Sequence, residues 1–333
     1  MKKFLIAGGA GFIGSHLSEK LLNRGDSVIC VDNYITGSRE NISRLLDNPN
    51  FILVEQDIIN GVPEIQDELE GIFHLASPAS PNQKSERSYI AYSLETLRVN
   101  SQGTFNLLNL AKDKNAKFVY ASTSEVYGNP SVSPQPETYW GNVNPNGIRS
   151  VYDEGKRFGE AMTMAYVRKF GLDARIMRIF NTYGDRMQPD DGRVVSNFII
   201  QALQGKNITV YGDGNQTRSF CYVDDLVEGI YRLLLSDYHM PVNIGNPSEI
   251  TIKEFGEEIL KLTGANQKLI SLPLPKDDPK QRRPDITKAK EILGWEPKVN
   301  RAEGLKITYE YFKSLSKEEL NKTEHRNLET LNK

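Results

Sequence analysis

Cysteine is scarce in this sequence, with only Cys30 and Cys221 among 333 residues. The two are far apart and each lies in an apolar run, which is typical of reduced core cysteines and gives no disulfide framework or zinc cluster. An excess of one charge is also lacking. The 41 Lys and Arg residues against 43 Asp and Glu residues give a net charge of -2, so no global basic field attracts nucleic acid.

Long hydrophobic runs are missing as well. No apolar stretch reaches the 18 residues of a membrane-spanning helix. The apolar start of the chain is interrupted by four glycines and has no cleavage site of the kind that follows a signal peptide. We therefore expect a cytoplasmic protein without a membrane anchor. The length allows two domains, or one large α/β domain with an appended lobe.

Short β-rich apolar runs alternate with amphipathic segments in the first half of the chain. The runs cover residues 4–7, 28–31, 51–54, 72–76, 118–121 and 175–180, and helical spacing occurs over 16–23, 97–111 and 153–169. This alternation predicts an α/β fold of the Rossmann type, a doubly wound parallel sheet with helices on both faces. The expected strand order is 3-2-1-4-5-6 with additions.

The chain changes character after about residue 181, where Gly, Pro and Asn become frequent and the strand candidates are short and isolated. We interpret residues 1–180 as a dinucleotide-binding domain. Residues 181–313 are predicted to form a smaller substrate lobe that is partly interleaved with the sheet. Residues 314–333 are almost entirely polar, which predicts a frayed helix or a disordered tail.

A glycine-rich turn follows the first predicted strand and precedes the first predicted helix. Gly8, Gly11 and Gly14 allow a tight turn, close approach of the backbone to a pyrophosphate, and close packing of the helix on the sheet. The helix N-terminus adds unpaired N–H groups and partial positive charge. Spaced glycines also serve simple turns, but their position between strand and helix favours dinucleotide binding.

Acidic residues follow the second and third strands. Asp32 can accept hydrogen bonds from the adenosine ribose and would repel a 2′-phosphate, which favours NAD over NADP. Asp57 is placed either near the adenine or simply in a surface turn. No metal site is expected.

Tyr152 and Lys156 are four residues apart on a predicted helix, so their side chains share one face. The ammonium can lower the pKa of the phenol, and Tyr152 could then exchange a proton near neutral pH. This spacing usually marks only a solvated helix face. Here it follows a strand that ends in residues 121–125, and ligands bind at the carboxyl ends of parallel strands.

These motifs resemble the extended short-chain dehydrogenase/reductase family that acts on nucleotide sugars, over nearly the whole chain from Gly8 to about Phe312. Longer strings are similar to one subgroup, the UDP-glucuronate decarboxylases. They lie at residues 74–81, 123–128, 139–145, 152–156, 180–184, 191–198, 212–220 and 277–285.

The resemblance implies that Tyr152 removes the proton of the sugar C4 hydroxyl while hydride passes to NAD, leaving a 4-keto sugar. When C6 is a carboxylate this is a β-keto acid, and carbon dioxide leaves as Thr123 and Tyr152 stabilise the enolate. C5 is then protonated and hydride returns to C4, which yields UDP-xylose from UDP-glucuronate.

The resemblance also assigns further site residues. Glu125 and Arg218 are expected near C5 and C6, although Glu125 could merely cap a turn and Arg218 could merely bridge strands. Arginines suit the nucleotide diphosphate because their planar fork pairs with phosphate oxygens. The implied catalytic set is Thr123, Glu125, Tyr152, Lys156 and Arg218; the further cofactor contacts are Phe12, Ile13, Asn33, Ile58 and Ala76; and the substrate contacts are Ser77, Asn181, Arg193, Asn197, Tyr211, Gln216, Arg218 and Arg282.

Two departures refine the prediction. Ser124 stands where the family's 4,6-dehydratases carry an aspartic acid that protonates the leaving C6 hydroxyl, so dehydration is not expected. Residues 82–93 are several residues longer than, and unlike, the corresponding loop of the decarboxylases. This segment is either a tolerated surface insertion or the mark of a different sugar.

Three functions therefore stay open. UDP-glucuronate decarboxylation leads; a C4 oxidase or epimerase for another nucleotide sugar is second; a non-catalytic nucleotide-binding protein is remote, because Thr123, Tyr152 and Lys156 are all present. The resemblance further implies a homodimer that pairs the helices around residues 97–111 and 153–169.

Overall fold

The computed structural model describes residues 1–82, 85–273 and 281–320. Its strands are β1 Lys3–Ala7, β2 Ser27–Asp32, β3 Phe51–Glu55, β4 Gly71–His74, β5 Lys117–Thr123, β6 Ala174–Ile179, β7 Thr182–Tyr183, β8 Ile208–Tyr211, β9 Thr217–Ser219, β10 Cys221–Tyr222, β11 Val242–Ile244, β12 Glu249–Thr251, β13 Leu269–Leu272 and β14 Gln281–Arg282. Its helices are α1 Phe12–Asn23, α2 Ser93–Arg98, α3 Thr104–Asp113, α4 Ser150–Phe170, α5 Val194–Leu203, α6 Val223–Leu235, α7 Ile252–Thr263, α8 Thr287–Leu293 and α9 Arg301–Ser314.

Seven parallel strands form the central sheet, in the order β11-β6-β5-β4-β1-β2-β3. The predicted doubly wound sheet and the order 3-2-1-4-5-6 are confirmed, with β11 as the addition next to β6. In this arrangement the strand order reverses between β1 and β4, where their carboxyl ends leave a crevice for ligands.

Side chains that alternate along β1 enter two separate cores. Phe4 and Ile6 belong to a cluster with Leu17 of α1 and Ile230 of α6. Their neighbours Leu5 and Ala7 belong to the core on the opposite face, with Leu107 and Leu108 of α3 and Tyr166 of α4. Because both faces are covered, the strands read as continuous apolar runs rather than alternating ones.

The chain beyond residue 181 forms smaller sheets and also returns to the large one. β9 pairs with β12 and β14, β8 pairs with β13, and β7 pairs with β10. Between them, α6 packs on β5 and β6, and β11 extends the central sheet. The chain beyond residue 181 therefore contributes both to the smaller sheets and to the central sheet.

Residues near the C-terminal end of the described chain are packed. α9 ends at Ser314, and the Gln204 side chain donates a hydrogen bond to the Leu320 carbonyl over 2.9 Å. The rest of the predicted polar tail, residues 321–333, lies outside the described residues.

Both cysteines are free and buried, which confirms the prediction made from their apolar surroundings. Among the helices in the described ranges, none combines the length and apolar character needed to cross a bilayer.

Candidate active site

The turn after β1 can pack closely against its neighbours only because it is built from glycine. Gly8 has a φ of +83°, and a Cβ there would lie 2.7 Å from the Ala76 nitrogen. A Cβ on Gly14 would lie 2.1 Å from the Gly8 carbonyl oxygen. Gly11 precedes α1 and brings no capping side chain, so the first N–H groups of the helix are open to an anion. This turn fits the pyrophosphate of a dinucleotide.

Asp32 ends β2 and holds the loop that follows. Its carboxylate accepts hydrogen bonds from the Ala10 and Tyr34 backbone N–H groups, at 2.9 and 2.8 Å. Burial raises the pKa of Asp32, and these two bonds only partly oppose that shift. The side chain nevertheless borders the cleft, where its remaining lone pairs can meet a ribose hydroxyl.

One cleft runs along the carboxyl edge of the sheet and gathers the predicted cofactor residues. Asp57 caps the next turn by accepting a bond from Ile59 N–H at 2.9 Å, so it serves the turn as well as bordering the cleft. The predicted cofactor residues in the lining are Gly8, Gly11, Phe12, Ile13, Gly14, Asp32, Asn33, Asp57, Ile58, Ala76, Tyr152 and Lys156.

Thr123, Tyr152 and Lys156 meet in the same cleft, at the end of β5 and on the first turns of α4. Lys156 Nζ donates to the Ala121 carbonyl over 2.8 Å and lies 5.7 Å from the centre of the Tyr152 ring. Helix α4 approaches β5 closely enough for this contact because Gly159 faces the Tyr120 hydroxyl. The predicted pair therefore shares one face and points into the site.

The pKa values of Tyr152 and Lys156 differ from those expected from the sequence. Burial raises the pKa of Tyr152 to about 12, although a hydrogen bond with Thr123 opposes the rise. Burial also lowers the pKa of Lys156 to about 7. Because the lysine is itself desolvated and bonded to Ala121, it does not bring the phenol near neutrality in this structure.

Two arginines hold the Glu125 carboxylate. Arg149 and Arg282 each place an Nη2 atom near the same Oε2, at 2.6 and 3.0 Å. Burial alone would raise the pKa of Glu125, but the two guanidinium groups, with help from Arg218, lower it to about 2. Thr123, not Glu125, caps the turn at Ser124–Tyr127, so the Glu125 carboxylate is not used in capping.

Arg149 was not found by sequence reasoning, although it lines the cleft beside Glu125. It lies three residues before Tyr152, which is the helical spacing that could have pointed to it. A second missed residue is Asn100, in a π-helical turn Val99–Gly103 between α2 and α3. Its amide donates to Ser77 Oγ over 2.9 Å and its Oδ1 accepts from the Tyr120 hydroxyl. π-turns of this kind are often found at functional sites.

The predicted substrate residues divide into two groups. Ser77, Asn181 and Arg193 line the cleft, and Arg193 makes a bidentate pair with Asp191. Outside that lining, Arg282 lies behind Glu125, Asn197 donates to the Gly192 carbonyl, Gln216 donates to the Tyr211 carbonyl, and Arg218 on β9 donates to the Thr217 carbonyl. The roles of both groups in substrate binding stay predictions. Residues 277–280 of the predicted arginine-containing string lie outside the described residues.

The unusual segment 82–93 packs on the site rather than standing away from it. Residues 83 and 84 lie outside the described residues. Tyr89 stacks on Tyr152, with ring centroids 4.8 Å apart and planes inclined by 7°. In the parts of the chain that the structure covers, no group of His, Cys, Asp and Glu is arranged to hold a metal ion.

Comparison with known proteins shows what the chain is similar to. The chain is 51% identical to UDP-glucuronic acid decarboxylase 1 of Danio rerio over 93% of its length and 72% of that protein. It is 50% identical to UDP-glucuronic acid decarboxylase 5 of Arabidopsis thaliana, over 93% of this chain and 89% of that one.

A solved structure with the same fold is that of an epimerase. UDP-glucuronic acid 4-epimerase of Bacillus cereus, in complex with UDP-glucuronic acid and NAD, superposes with a TM-score of 0.81 at 30% identity, over 94% of this chain and all of that one. The model of the family described as GDP-mannose 4,6 dehydratase matches residues 5–308. With its glycine turn, its Tyr152–Lys156 pair and this match, the chain belongs to that family of extended short-chain dehydrogenases/reductases.

Proposed function

We propose that this protein is an NAD-dependent enzyme that decarboxylates UDP-glucuronate to UDP-xylose through a 4-keto intermediate. The observation that carries the proposal is the Glu125 carboxylate held by Arg149 and Arg282 beside the Tyr152–Lys156 pair. It is supported by identities of about 50% to curated UDP-glucuronic acid decarboxylases over 93% of the chain.

The residues around the cleft fit NAD. The glycine turn gives space for the pyrophosphate, and Asp32 stands at the end of β2 where the adenosine ribose is expected. When bound, NAD supplies the hydride acceptor for C4 of the sugar and later the hydride donor.

Tyr152 is proposed to take the proton of the C4 hydroxyl. Its phenol is buried beside Thr123, so the proton can move between phenol and sugar without exchange with bulk water. To accept this proton Tyr152 must be a phenolate, and it becomes a neutral phenol when it does. Lys156, on the same face, stabilises the phenolate before the transfer and again after the proton has been returned. Once C4 is a ketone, hydrogen bonds from Thr123 and Tyr152 to its oxygen stabilise the enolate left by departing carbon dioxide.

Glu125 is proposed to act as a carboxylate near C5. With a pKa of about 2 it stays ionised at working pH and cannot donate a proton of its own. It can instead orient a water molecule that gives a proton to C5 when the enolate collapses, and the hydroxide that remains takes up a proton from solvent. Because Ser124 supplies no acid for a leaving C6 hydroxyl, the site favours loss of carbon dioxide over dehydration.

The test is proton NMR of the purified enzyme with UDP-glucuronate and NAD, together with measurement of released carbon dioxide. UDP-xylose, with two protons at C5, is the expected product, and Tyr152→Phe is expected to abolish its formation while the protein still binds NAD. A product that keeps its carboxylate and is inverted at C4 would replace this proposal with a 4-epimerase.

We also propose a homodimer formed through α2, α3 and α4. Each of these helices exposes a large apolar side chain: Leu94 of α2 is 69% exposed, Phe105 of α3 44% and Phe158 of α4 50%. The rings of Phe105 and Tyr166 lie 6.4 Å apart and join the two helical surfaces into one face. A second copy of the chain would cover this face.

We also propose a cytoplasmic location. The two free buried cysteines support it, because a reducing compartment keeps cysteines in the thiol form.

A further inference from the structure

Residues 85–92, between β4 and α2, lie across the cleft; we call this segment the strap. On one side, Ser85 Oγ donates to the Asp190 carbonyl over 3.2 Å, and Arg87 Nε lies 3.4 Å from Asp190 Oδ2. On the other side, Arg87 Nη1 donates to the Thr36 carbonyl over 3.2 Å. The Arg87 side chain therefore bonds to Thr36 on one side of the cleft and to Asp190 on the other; we call these two sides its rims.

The two rims belong to different parts of the dinucleotide groove. Thr36 follows β2 and lies in the lining with Asp32, at the end where the adenosine is expected. Asp190 belongs to the loop that carries Asp191 and Arg193, on the side of the sugar. Arg87 lines the same cleft as the glycine turn after β1, so its link from Thr36 to Asp190 lies in the groove where the pyrophosphate is expected.

Tyr89 fixes the other end of the strap. It is 1% exposed and stacks on Tyr152, and its backbone N–H donates to the Ser80 carbonyl over 3.1 Å. Within the described residues its hydroxyl has no hydrogen-bond partner. A parallel pair of large aromatic rings is a stable anchor, so the strap is tied to the floor of the site as well as to its rims.

Arg87 also has N–H groups with which it can bind a phosphate. A guanidinium carries five N–H donors in a planar fork, and the bonds to Thr36 and Asp190 employ only part of that fork. We propose that the strap retains NAD in this enzyme: Arg87 joins the rims over the bound pyrophosphate, and Tyr89 keeps the strap seated on Tyr152. The inference rests on the proposed NAD-dependent function and adds a cofactor-retaining role to a segment unlike that of the decarboxylases.

The test is the rate at which NADH leaves the enzyme, followed by its fluorescence after a chase with excess NAD and without any sugar nucleotide. Arg87→Ala is expected to raise this rate at least tenfold, and Arg87→Lys, which keeps the charge but loses the fork, by a smaller factor. Arg301→Ala is the matched control, because Arg301 is 27% exposed against 29% for Arg87 and also pairs with a carboxylate, Glu258, at 2.8 Å. It should change the rate by less than twofold.

A second pair of variants separates anchoring from folding. Tyr89→Phe keeps the ring and is expected to release NADH at the wild-type rate, whereas Tyr89→Ala should release it several times faster. With UDP-glucuronate, Arg87→Ala should also leave free NADH and a decarboxylated 4-keto sugar in equal amounts. In that escape C4 loses its hydride to NAD, and the proton of its hydroxyl is balanced by the one gained at C5.

Release rates that are equal in wild type, Arg87→Ala and Arg87→Lys, with unchanged melting temperatures, would overturn the inference. So would faster release in Arg301→Ala to the same degree. The experiment without sugar does not depend on the substrate. The wild type could therefore form no UDP-xylose while Arg87→Ala still releases NADH faster. That result would reject the proposed function and support the role of the strap in retaining NAD.

Discussion

At the scale of single residues, two arginines on one carboxylate oxygen define the chemistry of Glu125. Arg149 comes from the start of α4 and Arg282 from β14, so the arrangement forms only after distant parts of the chain meet. Removing one partner of such a buried group leaves the carboxylate less compensated. Its pKa of about 2 should then rise toward the ordinary value of 4.5.

Arg149→Ala is expected to lower kcat for UDP-glucuronate at least tenfold and to move the acid limb of the kcat–pH profile to higher pH. The direction follows because Glu125 would take up its proton at a higher pH than in the wild type. Rates measured between pH 4 and 8 check this, with Arg168→Ala at the exposed end of α4 as the control. A uniform loss at every pH, with no displaced limb, would contradict the role assigned to Arg149.

Lys156 links catalysis to stability through burial. Its pKa falls from 10.5 to about 7 in the folded protein, so the unfolded chain binds more protons between these two values. The energetic cost of burying the lysine is therefore fully present below pH 7 and disappears as the pH rises toward 10.5.

Lys156→Met should accordingly unfold at higher denaturant concentration than the wild type at pH 6, with a gain on the order of 2 to 4 kcal/mol. The gain should shrink steadily toward pH 10, while catalysis is lost at every pH. Urea titrations at pH 6, 8 and 10 measure the difference. A gain that does not vary with pH would show that the lysine is not desolvated as described.

Much of the site was predictable because its residues directly follow strands or share a helix face. Local sequence was enough to predict the positions of Gly8, Asp32, Tyr152 and Lys156. Arg149 was within reach of the same reasoning through its spacing from Tyr152. Arg87 was not, since its partners Thr36 and Asp190 are brought together only by tertiary packing, which no local period encodes. The raised pKa of Tyr152 likewise comes from burial, a property of the whole neighbourhood.

At the scale of elements, the position of Tyr152 depends on how closely α4 packs on β5. A Cβ on Gly159 would lie 2.0 Å from the Tyr120 hydroxyl, which also bonds to Asn100. Four residues earlier on the same helix, a Cβ on Gly155 would make only an ordinary contact, 3.4 Å from Asn100 Cβ. The two glycines thus differ in packing while sharing a helical backbone.

Gly159→Ala is expected to destabilise the protein by about 1 to 3 kcal/mol, because a methyl group there must push α4 away from β5. Gly155→Ala should be neutral or stabilising by up to about 1 kcal/mol, since alanine has the higher helix propensity. Chemical denaturation of the two variants checks the contrast. Equal changes in the free energy of unfolding would mean that helix propensity, and not packing against Tyr120, determines how substitutions in α4 affect stability.

Element boundaries were harder to predict than element existence. The helical pattern over residues 97–111 suggested one helix, whereas the structure divides Ser93–Asp113 into α2, a π-helical turn and α3. Apolar periodicity reports which face is buried and is insensitive to one extra residue in a turn. The short strands β9, β12 and β14 pair with partners far away in the sequence. The residues of each strand alone therefore give little indication that a strand forms there.

At the scale of the whole molecule, the exposed face of α2, α3 and α4 is the surface expected to join two copies. Phe158→Asp places a charge in the middle of that apolar face and should convert the dimer to monomers in analytical ultracentrifugation. Ile307→Asp on α9 is the control, because Ile307 is 42% exposed but belongs to another surface. A wild-type chain that sediments only as a monomer at every concentration would reject the dimer.

The placement of β11 has a consequence for how the chain is made. β6 ends at Ile179, but the strand that pairs with its open edge is β11, which is not complete until Ile244. A ribosome adding roughly 5 to 20 residues per second leaves that edge unpaired for several seconds or longer. An unpaired parallel edge can join another nascent chain. A polysome on this message carries several nascent chains at once and can bring such unpaired edges close together. We therefore expect a chaperone that covers Ala174–Ile179 during translation to raise the yield of folded protein.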